Sequence, residues 1–128
     1  ENVLSSVNEG VQWAGVAALT GDQSCVAEML EQYRRRREII VEGLNSIPRI
    51  SCLPPKGAFY AFPNISQTGL GSRDFAIRLL QETHTVVVPG VGFGAGGEGF
   101  IRISYATSEE NIREGLRRIR QFVESLPD

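Results

Sequence analysis

The sequence predicts an α+β fold, in which a small, mostly antiparallel sheet is covered by helices. Three observations support this class. Segments with apolar residues at helical spacing stand near both ends of the chain, short apolar and β-branched segments lie between them, and a glycine-rich loop, PGVGFGAGGEG, joins the last two of these short segments. Because no crossover helix separates those two segments, we expect them to pair as antiparallel strands.

The composition is typical of one globular domain. The chain has 128 residues, of which 41% are hydrophobic, and a formal net charge of −2. This charge gives no electrostatic reason to expect nucleic acid as a partner, and no apolar segment reaches the roughly 20 residues of a membrane span. Cys25 and Cys52 match no metal-ligand spacing, so we predict no metal site and two free thiols in a cytoplasmic protein.

The first part of the chain contains two helical segments. Residues 11–19, VQWAGVAAL, are apolar on nearly all sides, so we predict a lead-in segment and a buried helix over residues 1–21. A long helix is predicted over residues 22–47, where apolar residues recur at helical spacing and Asp22 is suited to be the N-cap. Arginines 34–37 interrupt this helix, but four consecutive helical residues point in all directions and form no single basic face.

Residues 48–128 are predicted to form a small α/β domain. We expect its strands at residues 50–53, 58–62, 86–88 and 100–105. Of its two helices, the first is expected to have Ser72 as its N-cap and the second to open with a capping box that starts with Thr107. Lys56, the only lysine of the chain, lies on a predicted turn and is expected to be exposed. His84 has no partner at a ligand or catalytic spacing and is expected to be structural or exposed.

Arg102 is the candidate functional residue of this domain. It stands in the last predicted strand, FIRISYA, directly after the glycine-rich loop. Because side chains alternate along a strand, Phe100, Arg102 and Ser104 are expected to share one face. A guanidinium among apolar neighbours requires a planar anion, and a carboxylate fits its donors in a bidentate way. From the residues alone two interpretations stay open: an arginine that binds a carboxylate, or one that is solvated or ion-paired.

Five segments of the chain, taken in order, are QWAGVAAL, YRRRRE, PPKGAFYAF, VVVPGVGFGAGGEGFIRISYA and EENIREGLRRI. Their order resembles the C-terminal end of the class I/II aminotransferases, which are pyridoxal-phosphate (PLP) enzymes of the aspartate aminotransferase type. The most specific segments are PKGAFY and the glycine-rich block that ends at the arginine of FIRIS. The resemblance extends from about Gln12 to the end of the chain.

The resemblance implies a fold and roles for a few residues. The fold is expected to be the small domain of fold-type I PLP-dependent transferases, with residues 22–47 as the helix that bridges it to a large domain. Arg102 is expected to bind the α-carboxylate of an L-amino-acid or 2-oxo-acid substrate, and Phe93 to lie near the substrate entrance. The family's Schiff-base lysine and its PLP-binding residues lie upstream in the large domain. We therefore expect no catalytic residue and no cofactor-binding residue in this chain.

The resemblance also implies that the chain is part of a longer enzyme. It begins with ENVLSSVNEG rather than methionine, and we expect it to be the C-terminal domain of a homodimeric, cytoplasmic aminotransferase that uses PLP. The missing large domain would be its partner, and the chain alone is expected to be inactive. Two alternatives remain: a PLP-dependent lyase of the same fold, or a stand-alone module that binds amino acids.

Overall fold

The computed structural model of the protein describes residues 6–127. Within this range, four α-helices and three short β-strands confirm the predicted α+β class. The helices are α1 (Glu9–Thr20), α2 (Ser24–Asn45), α3 (Ser72–Thr83) and α4 (Glu109–Ser125). The strands are β1 (Tyr60–Ala61), β2 (Val88–Pro89) and β3 (Ile101–Ser104). No helix between residues 6 and 127 has both the length and the apolar character needed to cross a bilayer.

The chain divides into two compact units, one ending at Glu31 and the other beginning at Gln32. In the first unit, α1 is helical as predicted, but none of its residues is buried. Trp13 is 65% exposed and Leu19 is 85% exposed. The predicted burial is therefore not provided within residues 6–31. The physical reason is that these residues contain only α1 and the start of α2, which cannot surround a helix that is apolar on nearly all sides.

The second unit is organised around a three-stranded sheet in the order β1-β3-β2. Both pairings are antiparallel, which confirms the predicted pairing of the last two strands. The register sets Tyr60 of β1 opposite Ser104 and Val88 of β2 opposite Arg102. The central position of β3 means that its backbone is held from both sides.

The strand expected at residues 50–53 is reduced to an isolated bridge between Ser51 and Asn64. A side chain takes the place of a neighbouring strand here. Asn45, at the end of α2, accepts from the Cys52 backbone N–H at 2.8 Å and donates its Nδ2 to the Cys52 carbonyl at 2.9 Å. Because the N–H and the carbonyl of Cys52 are both hydrogen-bonded in this way, the segment needs no hydrogen bonds to a neighbouring strand at that position.

The core lies between the sheet and the last three helices. Its fully buried members include Leu44 of α2, Ile101 of β3 and Phe75 of α3, and Phe75 contacts Phe122 of α4 edge-to-face with ring centroids 5.1 Å apart. The apolar stripe predicted for α4 is buried at Ile112, Ile119, Val123 and Leu126, with Leu116 partly buried.

Two predicted N-caps are wrong. The N-cap of α3 is Gly71 rather than Ser72. The N-cap of α4 is Ser108 rather than Thr107, since the Ser108 hydroxyl accepts from the Asn111 N–H at 3.2 Å. Helix α3 ends at His84, which is exposed and adopts a left-handed conformation with φ 55°. His84 therefore has a structural role as the C-cap of α3, in agreement with the expectation that it is structural or exposed. The two cysteines are free thiols, Cys52 buried and Cys25 exposed.

Candidate functional site

Arg102 lies in the middle of the central strand of the sheet. Its neighbours in sequence, Ile101 and Ile103, point to the opposite face, where Ile101 is fully buried. The Arg102 backbone is paired with that of Val88 in β2, an edge strand of the sheet. The position of the Arg102 Cα is therefore determined by the sheet, and the arginine side chain is directed away from the core and is partly exposed.

Two aromatic rings flank the Arg102 guanidinium. Its carbon Cζ is 4.4 Å from the centroid of the Tyr60 ring and 4.5 Å from the centroid of the Phe93 ring. Tyr60 reaches this position because it lies opposite Ser104, which shares a face with Arg102. Both distances lie within the range in which a cation is attracted to the face of an aromatic ring. The two rings therefore hold the side chain in place without using its N–H donors.

Two further rings extend this surface. Phe62 stacks on Phe100 with centroids 5.3 Å apart and meets Phe93 edge-to-face at 6.0 Å. We call the set Tyr60, Phe62, Phe93 and Phe100 the aromatic face. Phe62 is 39% exposed and Phe93 is 51% exposed, so this face is not part of the buried core.

The donors of Arg102 are available to an external anion. No oxygen of residues 6–127 accepts a hydrogen bond from the Arg102 side chain or forms an ion pair with it, and its guanidinium faces the two rings. An arginine offers five N–H donors in a planar fork. Held by rings and surrounded by apolar side chains, these donors suit a planar, singly charged group such as a carboxylate.

The glycine-rich loop, residues 90–99, brings Phe93 to the arginine. It consists of two short 3₁₀ turns, Gly90–Phe93 and Ala95–Gly97, joined at Gly94, whose φ of +109° favours glycine. The ends of the loop touch through their backbones, because a Cβ on Gly90 would collide with the Gly97 carbonyl oxygen and a Cβ on Gly97 with the Gly90 carbonyl. Glycine is required at both positions for the loop to close.

Buried groups around the C-terminal end of β3 support the strand. Tyr105 is 1% exposed; its backbone N–H donates to the Phe59 carbonyl and its hydroxyl to the Ala58 carbonyl, both at 2.9 Å. Burial raises the pKa of Tyr105, and this effect is opposed by the positive charge of Arg37. Tyr105 therefore acts as a neutral donor that fixes the turn before Tyr60 to the end of the arginine strand.

The sequence singled out Arg102, and the family resemblance singled out Phe93, but neither indicated that the rings of Phe93 and Tyr60 flank the arginine. The alternation within AFYAF indicates that Tyr60 and Phe62 share one face, but the contact with Arg102 also depends on the register of β1 against β3, which the sequence does not give. Sequence reasoning also missed Glu98, whose contact with Ser72 depends on a loop conformation that no sequence pattern encodes.

The sequence profile of the family described as "Aminotransferase class I and II" matches residues 2–119 of this chain. The chain belongs to the class I and II aminotransferases. It is 47% identical over 124 residues to an aspartate aminotransferase of Pyrococcus horikoshii, covering 95% of this chain and 32% of that protein. It is also 43% identical over 123 residues to an LL-diaminopimelate aminotransferase of Syntrophobacter fumaroxidans, covering 94% and 31%.

The fold agrees with that of a solved aminotransferase. The crystal structure of an aromatic aminotransferase from Pyrococcus horikoshii matches with a TM-score of 0.86 and 40% identity over 89% of this chain and 31% of that chain. This confirms the predicted small-domain fold of fold-type I PLP-dependent transferases. The chain spans about a third of the length of these relatives. Because they are aminotransferases, the comparisons favour an aminotransferase fragment over a lyase or a stand-alone binding module.

Aminotransferases of this family use PLP, which requires a lysine for its Schiff base. Lys56, the one lysine of the sequence, is exposed in the turn before β1 and joins none of the hydrogen bonds or ion pairs found among residues 6–127. A Schiff-base lysine has to be desolvated and oriented to react. The residues of this chain therefore do not fit PLP by themselves, and no chemical step of the cofactor is assigned to them.

Proposed function

We propose that this chain is the substrate-carboxylate-binding part of a PLP-dependent aminotransferase, which moves an amino group between an L-amino acid and a 2-oxo acid. The observation that carries the proposal is the state of Arg102. Its guanidinium is held by Tyr60 and Phe93 and keeps its donors available, so the group is oriented before a ligand arrives. A carboxylate is common to both substrate classes, and a bidentate pair with arginine binds and orients it.

The chemistry itself is assigned to the rest of the parent enzyme. PLP, bound there, supplies the electron sink for amino transfer. Arg102 orients the carboxylate so that the bond to the α-hydrogen is presented to the reacting groups. The aromatic face excludes water around the arginine, which strengthens the ion pair that the substrate forms with it.

We also propose a domain organisation for the parent enzyme. Residues 1–21 are a lead-in segment with a helix whose apolar side chains contact a part of the enzyme outside this chain. Residues 22–47 form the bridging helix, and residues 48–128 the small domain. The exposed apolar side chains of α1, among them Val11, Trp13, Val16 and Leu19, support a contact of this kind. The family resemblance supports a cytoplasmic homodimer.

The test uses the longest natural polypeptide that contains this segment. It is mixed with PLP, reduced with borohydride and digested, and the labelled peptide is mapped by mass spectrometry. A phosphopyridoxyl lysine upstream of Glu1 is the expected result. A label on Lys56, or no labelled lysine at all, contradicts the proposal.

A second measurement addresses the chain by itself. The purified 128-residue chain is expected to show no transaminase turnover above that of free PLP, because Lys56 does not meet the requirements of the Schiff-base lysine. Turnover above that level contradicts the proposal that the chemistry is carried out by the rest of the parent enzyme. Micromolar binding of an amino acid by the chain alone, measured by calorimetry, would instead support the stand-alone binding module.

A further inference from the structure

One acidic residue of the glycine-rich loop is bonded to the start of a helix. The two carboxylate oxygens of Glu98 accept from Ser72, one from its backbone N–H at 2.8 Å and the other from its hydroxyl at 2.9 Å. Ser72 is the first residue of α3, and its side chain is fully buried. A buried hydroxyl is therefore used to hold a residue of the loop.

The start of α3 is suited to receive this carboxylate. The N-cap position is Gly71, which has no side chain to accept from the first N–H groups of the helix. A Cβ on Gly71 would lie 3.3 Å from the nearer Glu98 oxygen, so the absence of a side chain also leaves room for Glu98. The hydrogen bonds from the backbone and the hydroxyl of Ser72 lower the pKa of Glu98, which is consistent with a bound carboxylate.

The same serine is also bonded to the other end of the loop. The Val91 backbone N–H donates to the Ser72 hydroxyl oxygen at 3.4 Å. Val91 and Glu98 thus meet at one side chain, and Phe93 lies between them in sequence. At the base of the loop, the Gly90 N–H donates to the Phe100 carbonyl at 2.8 Å. The part of the loop that carries Phe93 is therefore held through Ser72 as well as through its own backbone.

We propose that Glu98 is a positioning residue of the substrate-carboxylate site, which holds the glycine-rich loop on α3 through Ser72 and so keeps Phe93 against Arg102. This inference rests on the proposed function of Arg102. Without the Glu98 contact the loop gains conformational freedom, and its ordering then opposes substrate binding. Glu98 touches neither substrate nor cofactor; it acts through the ring of Phe93.

The experiment uses the full-length polypeptide that contains this chain, loaded with PLP. The probes are succinate, 3-phenylpropionate and 4-methylpentanoate, which carry a carboxylate but no amino group to react. The Kd of the probe that binds the wild type most tightly is measured by titration calorimetry, and the melting temperature is recorded for every variant. The variants are E98A, E98Q, F93L and the double variant, with E110A as the control.

Glu110 is a matched control because it is an acidic residue in the first turn of another helix, α4, and no hydrogen bond or ion pair joins it to the loop within residues 6–127. We expect E98A to raise Kd by up to about fivefold, the factor expected when the Phe93 ring itself is removed, because Glu98 acts through that ring. E98Q is expected to raise it less, because its amide oxygen still accepts one bond from Ser72. E110A is expected to leave Kd unchanged. In the F93L background, E98A is expected to change Kd by less than about twofold, which marks two residues acting through one contact.

Each contrary outcome has a distinct meaning when R102A is measured beside these variants. If R102A leaves Kd unchanged, the proposed function of Arg102 is wrong. If R102A weakens binding while E98A behaves like E110A, the proposed function stands and the role of Glu98 is wrong. If E98A has its full effect in the F93L background, Glu98 does not act through Phe93, and the inference is also wrong. A lower melting temperature of E98A with an unchanged Kd would show a merely structural role.

Discussion

The two faces of β3 differ in what they contribute to the protein. Ile101 is fully buried, and Ile103 borders a cavity of about 150 Å³ that is also lined by Ile40 of α2 and Ile119 of α4. On the other face, Arg102 is only partly buried and is flanked by Tyr60 and Phe93. One strand of four residues thus belongs to the core on one side and to the candidate site on the other.

In the proposed function, stability and carboxylate binding are therefore carried by alternate residues of one strand. The residues of the buried face stabilise the fold by removing apolar surface from water. The residues of the arginine face are held by that fold but contribute little to the core. Substitutions on the two faces should therefore separate the free energy of unfolding from the affinity for a carboxylate.

The largest effect is expected on the buried face. Ile101→Ala removes a fully buried side chain and leaves a cavity, so the free energy of unfolding of the 128-residue chain should fall by about 3 kcal/mol. Urea denaturation measures this change. Ser104→Ala, on the exposed end of the arginine face, is the control and should change stability by less than about 0.5 kcal/mol. Equal losses for both variants would contradict the separation of the faces.

The next effect is on binding. Arg102→Ala removes the proposed bidentate pair, so the Kd for a carboxylate probe in the full-length polypeptide should rise by a factor of about 100 or more. The melting temperature should stay close to that of the wild type, because no hydrogen bond of Arg102 within residues 6–127 is lost. Arg113→Ala, an exposed arginine of α4, is the control and should leave Kd unchanged. A large fall in melting temperature with an unchanged Kd would assign Arg102 to the fold instead.

The same contrast explains what the sequence could predict. The alternation in FIRIS placed Arg102 on the face opposite the isoleucines, and the spacing of Ile112 and Ile119 identified the buried side of α4, because both patterns follow from strand and helix geometry. The exposure of α1 could not be predicted in this way. The apolar composition of a helix predicts that the helix is buried, but whether it is buried depends on which neighbours are present.

Contacts between distant segments could not be predicted from the sequence either. Tyr60 reaches Arg102 only through the register of two strands separated by about forty residues. Glu98 reaches Ser72 only because Gly90 and Gly97 allow the loop to close. Such contacts are decided by tertiary structure, and local propensity carries no information about them. The family resemblance was therefore the stronger guide to the arginine, whereas the structure alone explains how that arginine is held.

A smaller effect should appear when one ring on the arginine is removed. Phe93→Leu keeps an apolar side chain but removes the aromatic face 4.5 Å from the guanidinium, so Kd for the carboxylate probe should rise about fivefold, or about 1 kcal/mol. Ile77→Ala is the control, since Ile77 of α3 is 48% exposed, against 51% for Phe93, and is not one of the two rings on Arg102. Calorimetry on the full-length polypeptide measures both. An equal effect of the two variants would show that general hydrophobicity, and not the ring on Arg102, matters.

The smallest effect is expected when the pH is lowered, and it concerns the stability of the fold but not the binding of a carboxylate. Glu114 of α4 accepts hydrogen bonds from Arg117 and Arg118, which lower its pKa from 4.5 to about 2. A carboxyl whose pKa is lowered by folding stabilises the folded state above pH 4.5 and loses this contribution as the pH falls towards 2.

The wild type should therefore be more stable than Glu114→Gln at pH 7, and the difference should shrink between pH 4.5 and 2. Melting temperatures of the 128-residue chain across this range measure it. Because α4 packs beneath the buried face of β3, Glu114→Gln should leave the Kd of the carboxylate probe at pH 7 unchanged in the full-length polypeptide. A stability difference that stays constant with pH would show that the two arginines do not hold Glu114 as a carboxylate. A change in Kd would show that the two faces of the strand are coupled through α4.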